Sequence, residues 1–200
     1  MKEGLLVVIS GASGTGKGTV CKALFEVEKN LSFSVSATTR KPREGEKDGV
    51  NYYFLTKDEF EKRIEAGEFL EWANVYGNYY GTPMKEVSNR LKNGEDILLE
   101  IDTQGAINVM EKMPKGVFIF LLPPSMDELK RRIEGRGTET EESLKKRLGA
   151  AKTEIALAEK YDYTVVNDEV ENAVKHISAI LAAERAKSNR NLNLIEELEK

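Results

Sequence analysis

The stretch Leu5-Leu6-Val7-Val8-Ile9-Ser10-Gly11-Ala12-Ser13-Gly14-Thr15-Gly16-Lys17-Gly18-Thr19 decides how this chain is read. The unbroken apolar run from Leu5 to Ile9 suits a strand buried on both faces. After Lys17, the residues Val20, Ala23, Leu24 and Val27 recur at helical spacing. A strand, a turn spaced Gly-x4-Gly-Lys and a helix together predict a phosphate-binding loop. Its glycines let backbone N–H groups curl around phosphate oxygens. The helix N-terminus adds about half a positive charge there. Lys17 offers a cation to the β and γ phosphates of a nucleotide. Gly11, Ala12, Ser13, Gly14, Thr15, Gly16, Lys17, Gly18 and Thr19 are thus the candidate triphosphate site. The residue after the lysine usually brings a hydroxyl to Mg²⁺. Here it is Gly18, which leaves Thr19 as the candidate metal contact.

Outward from this loop, strand and helix signals alternate. Ile97-Leu98-Leu99-Glu100-Ile101-Asp102 is a second apolar run, closed by acid and followed by Gly105 and a helical pattern. Val117 to Leu122 is a third, ending at Pro123-Pro124, and Thr164-Val165-Val166 a short fourth before Asn167-Asp168. Ser125 with Glu128, like Thr56 with Glu59, fits a capping box. A long helix starts near Val170. This rhythm predicts an α/β fold, a mostly parallel sheet flanked by helices. The block from Phe33 to Thr82 breaks it. Phe33-Ser34-Val35-Ser36 and Tyr52-Tyr53-Phe54-Leu55 read as short strands. Phe69 to Thr82 reads as a hairpin around Gly77-Asn78, and Pro83 as the first residue of the next helix. The block is therefore expected to be an inserted lobe near the carboxyl ends of the parallel strands.

Composition narrows the chemistry. The 200 residues hold 30 Lys and Arg against 34 Asp and Glu, a net charge of -4, which argues against a nucleic-acid coat. Apolar residues make up 40% of the chain, enough for a core. One cysteine excludes an internal disulfide framework and a multi-cysteine zinc site, and one histidine excludes a two-histidine metal site. Phosphoryl transfer needs neither, since it depends on positioning and positive charge. No apolar run approaches the roughly 18 residues that span a bilayer, and no secretory signal is evident. A cytoplasmic location is the expectation.

Asp102 sits at a strand end as a Walker B acid would, and period-two alternation puts it on one strand face with Glu100. Asp102-Thr103-Gln104-Gly105 also fits the D-x-x-G of GTP switches, but the Asn-Lys-x-Asp that would read guanine in such a switch is missing. Arg40 and Arg43, stiffened by Pro42, suit bidentate binding of a phosphate dianion. A second basic set, Lys130, Arg131, Arg132, Arg136, Lys145, Lys146 and Arg147, flanks Gly135-Arg136-Gly137. Of these, Arg131, Lys145 and Lys146 read equally well as solvated helix faces. Glu71, Trp72, Tyr76, Tyr79, Tyr80 and Thr82 lie in or beside the hairpin. Carboxylates such as Glu71 and Asp102 can accept from the N1–H and N2–H of guanine, and a hydroxyl from Ser36 or Thr82 can donate to O6. Adenine would leave such carboxylates unpaired. Taken alone, most of these aromatics read as core or sheet packing.

With these residues placed, the sequence closely resembles the guanylate kinase family from about Leu5 to about Ala183. The resemblance rests on Gly11 to Thr19, Phe33 through Arg43, Asn51 to Phe54, Phe69 to Trp72, Gly77 to Thr82, Ile101 to Gly105, Pro123 to Ser125, Glu134 to Thr138 and Val166 to Asp168. It implies a P-loop NTPase-type core (1–32, 83–125 and 151–200), a GMP-binding lobe (33–82) and a lid (about 126–150). It implies ATP-dependent phosphorylation of GMP, and of dGMP, with Mg²⁺ as cofactor. Ser36, Glu71, Thr82 and Asp102 would read guanine; Arg40, Arg43, Tyr52 and Tyr80 would hold its phosphate. Lys17, Arg40, Arg136 and Arg147 would be catalytic, and Asn167 would lie near the ATP base. Partners would be ATP and GMP, with no nucleic acid or membrane, in a monomer or small homo-oligomer. Ala12 stands where the family often has Pro, and Gly18 where it often has Ser. Alternatives are another nucleoside monophosphate kinase and a non-catalytic guanylate-kinase-like binding module.

Overall fold

The computed structural model describes residues 3–75, 77–135 and 141–198. At its centre is β1 (Leu6–Ser10), buried along its whole length. It pairs in parallel with β7 (Asp96–Glu100) on one side and β8 (Val117–Leu122) on the other. Adding β2 (Leu31–Phe33) and β9 (Tyr163–Val166) gives a parallel sheet of order β2-β7-β1-β8-β9. The chain leaves β1 toward β2 and returns on the other side at β8, so a crevice opens above the carboxyl ends of the central strands.

Helices cover both faces because each presents an apolar stripe. α1 (Lys17–Val27) and α7 (Val170–Ala186) press Val20, Leu24, Ile177 and Leu181 against Val7 and Ile9. α3 (Met84–Lys92) and α4 (Thr103–Lys112) press Val87, Leu91, Ala106 and Val109 against Leu6 and Val8. Each such aliphatic side chain contributes about 1.5–3 kcal/mol on burial. A further cluster joins Ala12 of the glycine-rich loop to Leu129 and Ile133 of α5 (Met126–Glu134) and Ala151 of α6 (Glu141–Ala156). Packing thus fixes these two helices over the loop. The chain ends in α8 (Leu192–Leu198).

Residues 37–83 build a second sheet, of order β4-β3-β6-β5, from β3 (Ala37–Thr38), β4 (Tyr53–Phe54), β5 (Phe69–Val75) and β6 (Asn78–Pro83). Its core is small. Phe60 of α2 (Lys57–Glu65) stacks on Phe69 and Tyr79, at ring-centroid distances of 4.3 and 5.2 Å. A complete Thr56–Glu59 capping box starts α2. Gly77, with φ 82°, makes the left-handed turn of the β5–β6 hairpin.

Three local expectations are corrected. The strand expected at Phe33–Ser36 is split, because β2 stops at Phe33 and β3 starts at Ala37. Phe33 lies on an edge strand, half exposed, with its ring on Phe25 at 4.1 Å. Pro83 ends β6 and caps α3, and the helix starts at Met84. Ser125 caps α5, yet the Glu128 carboxylate turns to Arg131 and Arg132, so only half of that capping box forms. Among the described residues no helix is long and apolar enough to cross a membrane.

Candidate active site

The loop after β1 depends on backbone that only glycine adopts readily. Gly14 and Gly16 have φ of 93° and 91°, and Gly11 lies so close to Leu121 that a Cβ there would meet its carbonyl oxygen at 2.4 Å. The loop braces itself, since the Thr15 hydroxyl donates to the Ala12 carbonyl at 2.9 Å. Lys17 Nζ donates to the carbonyls of Gly11, at 2.5 Å, and Ala12, at 3.2 Å. Burial lowers the Lys17 pKa, while Glu100, Glu154 and Asp102 act to raise it. The ammonium therefore sits in a partly dry place, at the start of α1, with acids around it.

Asn167 supports this loop from below. It is 3% exposed, and its Nδ2 donates to the Thr15 carbonyl at 2.8 Å. Arg132 braces the same place, with Nη2 donating to the Asn167 carbonyl at 3.0 Å and Nη1 to the Thr15 carbonyl at 3.5 Å. From α6, Arg147 Nη2 donates to the Ser13 hydroxyl at 2.8 Å, and the Glu154 carboxylate accepts from the Ser13 amide at 3.3 Å. Sequence reasoning set Asn167 beside a nucleobase and missed both Glu154 and the particular role of Arg132. Arg136 lies outside the described residues, as does Tyr76 of the aromatic cluster.

Asp102 is not the end of a strand. β7 stops at Glu100, and Asp102 instead caps α4, its Oδ1 accepting from the Gly105 amide at 2.7 Å. The strand-face argument that paired Asp102 with Glu100 therefore fails. Glu100 is the acid that faces the loop, because a Cβ at Gly18 would meet its Oε1 at 3.4 Å. Burial raises its pKa, and Lys17 opposes that rise. The hard oxygens of Glu100 and the exposed Thr19 at this helix start suit Mg²⁺. Among the described residues no three His, Cys, Asp or Glu side chains converge on one point.

Across the crevice, a cleft of about 400 Å³ is lined by Ser34, Ser36, Tyr52, Thr82 and Glu100, among others. Glu71 from β5 accepts the Thr82 hydroxyl hydrogen at 2.6 Å. Burial raises the Glu71 pKa, the Thr82 bond lowers it and Asp102 raises it again. A Cβ at Gly105 would lie 3.3 Å from both Glu71 Oε2 and Asp102 Oδ1. Two carboxylates, one from β5 and one from the N-cap of α4, thus converge on a glycine, a feature that spacing could not show. At the outer end, Arg40 packs 5.4 Å from the Tyr52 ring centroid, and the rings of Tyr52 and Tyr80 lie 6.2 Å apart. The Arg43 side chain is exposed. A larger concavity of about 860 Å³, lined by residues such as Arg63, Glu68 and Lys85, contains none of these groups.

Lys17 and Glu100 on one side, with Glu71, Asp102 and Thr82 on the other, can bring a phosphate chain and a flat, donor-edged base to one crevice. A family model described as guanylate kinase matches residues 3–184. A guanylate kinase of Caldanaerobacter subterraneus subsp. tengcongensis is 56% identical over 193 residues, 96% of this chain and 94% of that protein. One from Clostridium perfringens is 59% identical over 198 residues, 98% of this chain and 92% of that protein. The crystal structure of guanylate kinase from Anaplasma phagocytophilum superposes with a TM-score of 0.75 at 40% identity, covering 100% of this chain and 95% of that one.

Proposed function

The chain belongs to the guanylate kinase family, and from that premise we propose how its residues divide the transfer of a phosphoryl group from ATP to GMP. The activity is that of a nucleoside monophosphate kinase, making GDP. The observation that carries the base assignment is the meeting of Glu71 and Asp102 over Gly105. Their acceptor oxygens match the N1–H and N2–H of guanine. Thr82 holds Glu71 in place, and Ser36 stands on the same cleft wall to meet O6. Adenine would leave the Glu71 and Asp102 oxygens without donors, and a site that demands a hydrogen bond rejects such an analogue strongly.

Arg40 and Arg43, with the hydroxyls of Tyr52 and Tyr80, hold the GMP phosphate at the outer end of the cleft. The donor phosphates lie in Gly11 to Thr19, against backbone N–H groups and the start of α1. A GMP phosphate oxygen attacks the γ-phosphorus in line as the bond from that phosphorus to the β–γ bridging oxygen breaks, giving GDP and releasing ADP. The attacking oxygen is already deprotonated at neutral pH, so the reaction needs no strong base, in keeping with one histidine and one cysteine in the chain. Lys17 leaves its loop carbonyls for the β and γ oxygens, where its charge matters most as charge spreads. Arg147, poised on Ser13, adds positive charge from the other side, and Arg136 keeps the catalytic role that the resemblance implies. Asn167 acts by keeping the loop in shape. Thr19 and Glu100 would hold the water shell of Mg²⁺, which when bound would supply positive charge against the donor phosphates. Helices α5 and α6 would serve as the lid and residues 33–82 as the GMP lobe, excluding water that would otherwise hydrolyse ATP. The same reading extends to dGMP as acceptor and to a cytoplasmic setting.

A coupled assay of ADP formation with GMP, dGMP, AMP, UMP and CMP, each with and without Mg²⁺, tests this division. GMP should exceed AMP by about 10⁴-fold in kcat/KM, as expected when polar groups are left unpaired by the wrong base. Comparable rates with AMP would refute the assignment of Glu71 and Asp102.

A further inference from the structure

The loop that carries Arg40 also carries a carboxylate that none of the assignments above uses. Glu46 Oε1 accepts from Arg40 Nη2 at 2.9 Å, and its Oε2 accepts from Arg40 Nη1 at 3.0 Å. The same Oε2 accepts from the Arg43 amide at 2.7 Å. Both side chains of this fork–fork pair are largely shielded, 16% and 19% exposed, although the loop around them is open. Arg40 Nη1 also donates to the Lys41 carbonyl at 2.8 Å. Three of the five guanidinium N–H groups are thereby committed along one edge. The Tyr52 and Phe54 rings lie 5.4 and 5.9 Å from the guanidinium carbon, and the Tyr80 hydroxyl interacts with it.

The backbone is built to deliver this carboxylate. Glu46 N donates to the Arg43 carbonyl at 3.0 Å, closing a four-residue turn whose third residue, Gly45, has φ 84°. That is the residue type such a turn demands at this position. Pro42 stiffens the entry. The turn folds Glu46 back over six positions onto Arg40.

We propose that Glu46 is the positioning residue for acceptor-phosphate binding: it clamps one edge of Arg40 so that the guanidinium keeps its remaining donors beside Tyr52 and Tyr80. The proposal rests on the assignment of Arg40 to the GMP phosphate. An arginine on an open loop ordinarily loses rotamer entropy when it binds an anion. Here the side chain is already fixed, so that loss falls on folding rather than on binding. A carboxylate near a phosphate also repels it. The arrangement helps binding only if fixing the guanidinium outweighs that repulsion, and this balance is what the experiment reads.

The test compares wild type with Glu46→Gln, Glu46→Ala, Gly45→Ala, Arg40→Met and the double variant Arg40→Met/Glu46→Gln. It measures KM for GMP, KM for ATP, kcat, thermal melting, and inhibition by guanosine, which has the base but no phosphate. Each Glu46 variant should raise KM for GMP by about tenfold, the scale of one hydrogen bond to a charged group. KM for ATP and the guanosine inhibition constant should stay within about twofold of wild type, and melting should move little for a loop residue. Gly45→Ala, whose Cβ would meet nothing within 4 Å, strains only the turn and should give a smaller rise of the same kind. In the Arg40→Met background, Glu46→Gln should add no further rise. An unchanged or lowered KM for GMP in Glu46→Gln overturns the proposal, the latter because Glu46 would then compete with the phosphate. An equal loss of guanosine binding also overturns it, since Glu46 would then shape the whole lobe. If Arg40→Met leaves KM for GMP unchanged, the phosphate assignment itself fails and the proposal with it. Should Glu46→Ala fail to fold, the isosteric Glu46→Gln decides.

Discussion

The support beneath the phosphate loop gives a prediction whose size follows from the structure. Asn167 Nδ2 bonds the Thr15 carbonyl at 2.8 Å in a buried setting, and a second donor to that carbonyl, Arg132, stands back at 3.5 Å. In Asn167→Ala the lost hydrogen bond costs about 1 kcal/mol and the stranded carbonyl about 1–2 kcal/mol more. For a domain of this size, about 3 kcal/mol lowers Tm by roughly 6–12 °C. The Thr15 carbonyl fixes the peptide plane leading into Gly16 and Lys17, so KM for ATP should rise about tenfold. Asn167→Asp keeps the shape but replaces the donor with an acceptor. Its ionised form would set two oxygens against each other, and Arg132 gives little relief because it is already paired with Glu128, whose carboxyl Arg131 and Arg132 hold down to about 2. The introduced carboxyl should therefore have a folded-state pKa above its unfolded value. Its protonated, donating form is present below the unfolded pKa and is lost as pH rises through the folded pKa. The Tm deficit of Asn167→Asp relative to wild type should accordingly grow from pH 5 to pH 8. Thermal melts at each pH, paired with ATP saturation curves, measure both effects. If Asn167→Ala melts within about 2 °C of wild type with unchanged KM for ATP, or the Asn167→Asp deficit is flat with pH, the reasoning is wrong.

Two further outcomes are expected. Lys17→Met should cut kcat by about 10²-fold or more, the cost of removing one transition-state cation, with melting preserved; near-normal turnover would remove Lys17 from the chemistry. Burial raises the Glu71 pKa and the Thr82 hydroxyl pulls it down, and guanine needs the ionised form. KM for GMP should therefore climb as pH falls through that raised pKa, and in Thr82→Val the climb should begin at higher pH. Profiles that superimpose would separate Thr82 from the ionisation of Glu71.

The core was legible in the sequence because its signals are local. The apolar run before Gly11, the glycine spacing and the helical stripe from Val20 each lie within a few residues of one another, and they fold as read except for Val27, which is exposed at the end of α1. Asp102 misled because an apolar run does not mark its own hydrogen-bonding limit. Ile101 follows the last strand residue, and Asp102 is drawn off to satisfy an orphan amide at the start of α4. The support of Thr15 by Asn167 spans 152 positions, and the contact of Arg147 with Ser13 spans 134, distances across which no periodicity speaks. Glu46 is the opposite case. It lies only six residues from Arg40, yet in an open loop its charge reads as ordinary solvation until the Gly45 turn is seen to point it inward. Arg131 and Lys146 pair with Glu128 and Glu142 on exposed helix faces, as solvated side chains do.

The meeting of Glu71 and Asp102 over Gly105 bears on how such a site can change over generations. One carboxylate belongs to the strand pair of residues 37–83 and the other to the N-cap of a helix of the parallel core, and an oxygen of each lies 3.3 Å from where a Cβ of residue 105 would stand. A new base preference cannot arise from a single substitution. Altering Glu71 alone strands Thr82 and leaves Asp102 still demanding a donor, whereas a side chain at position 105 crowds both carboxylates from 3.3 Å and must displace them before it can read anything. Drift toward another nucleobase must cross a valley at least two coordinated changes wide, with impaired intermediates on either path.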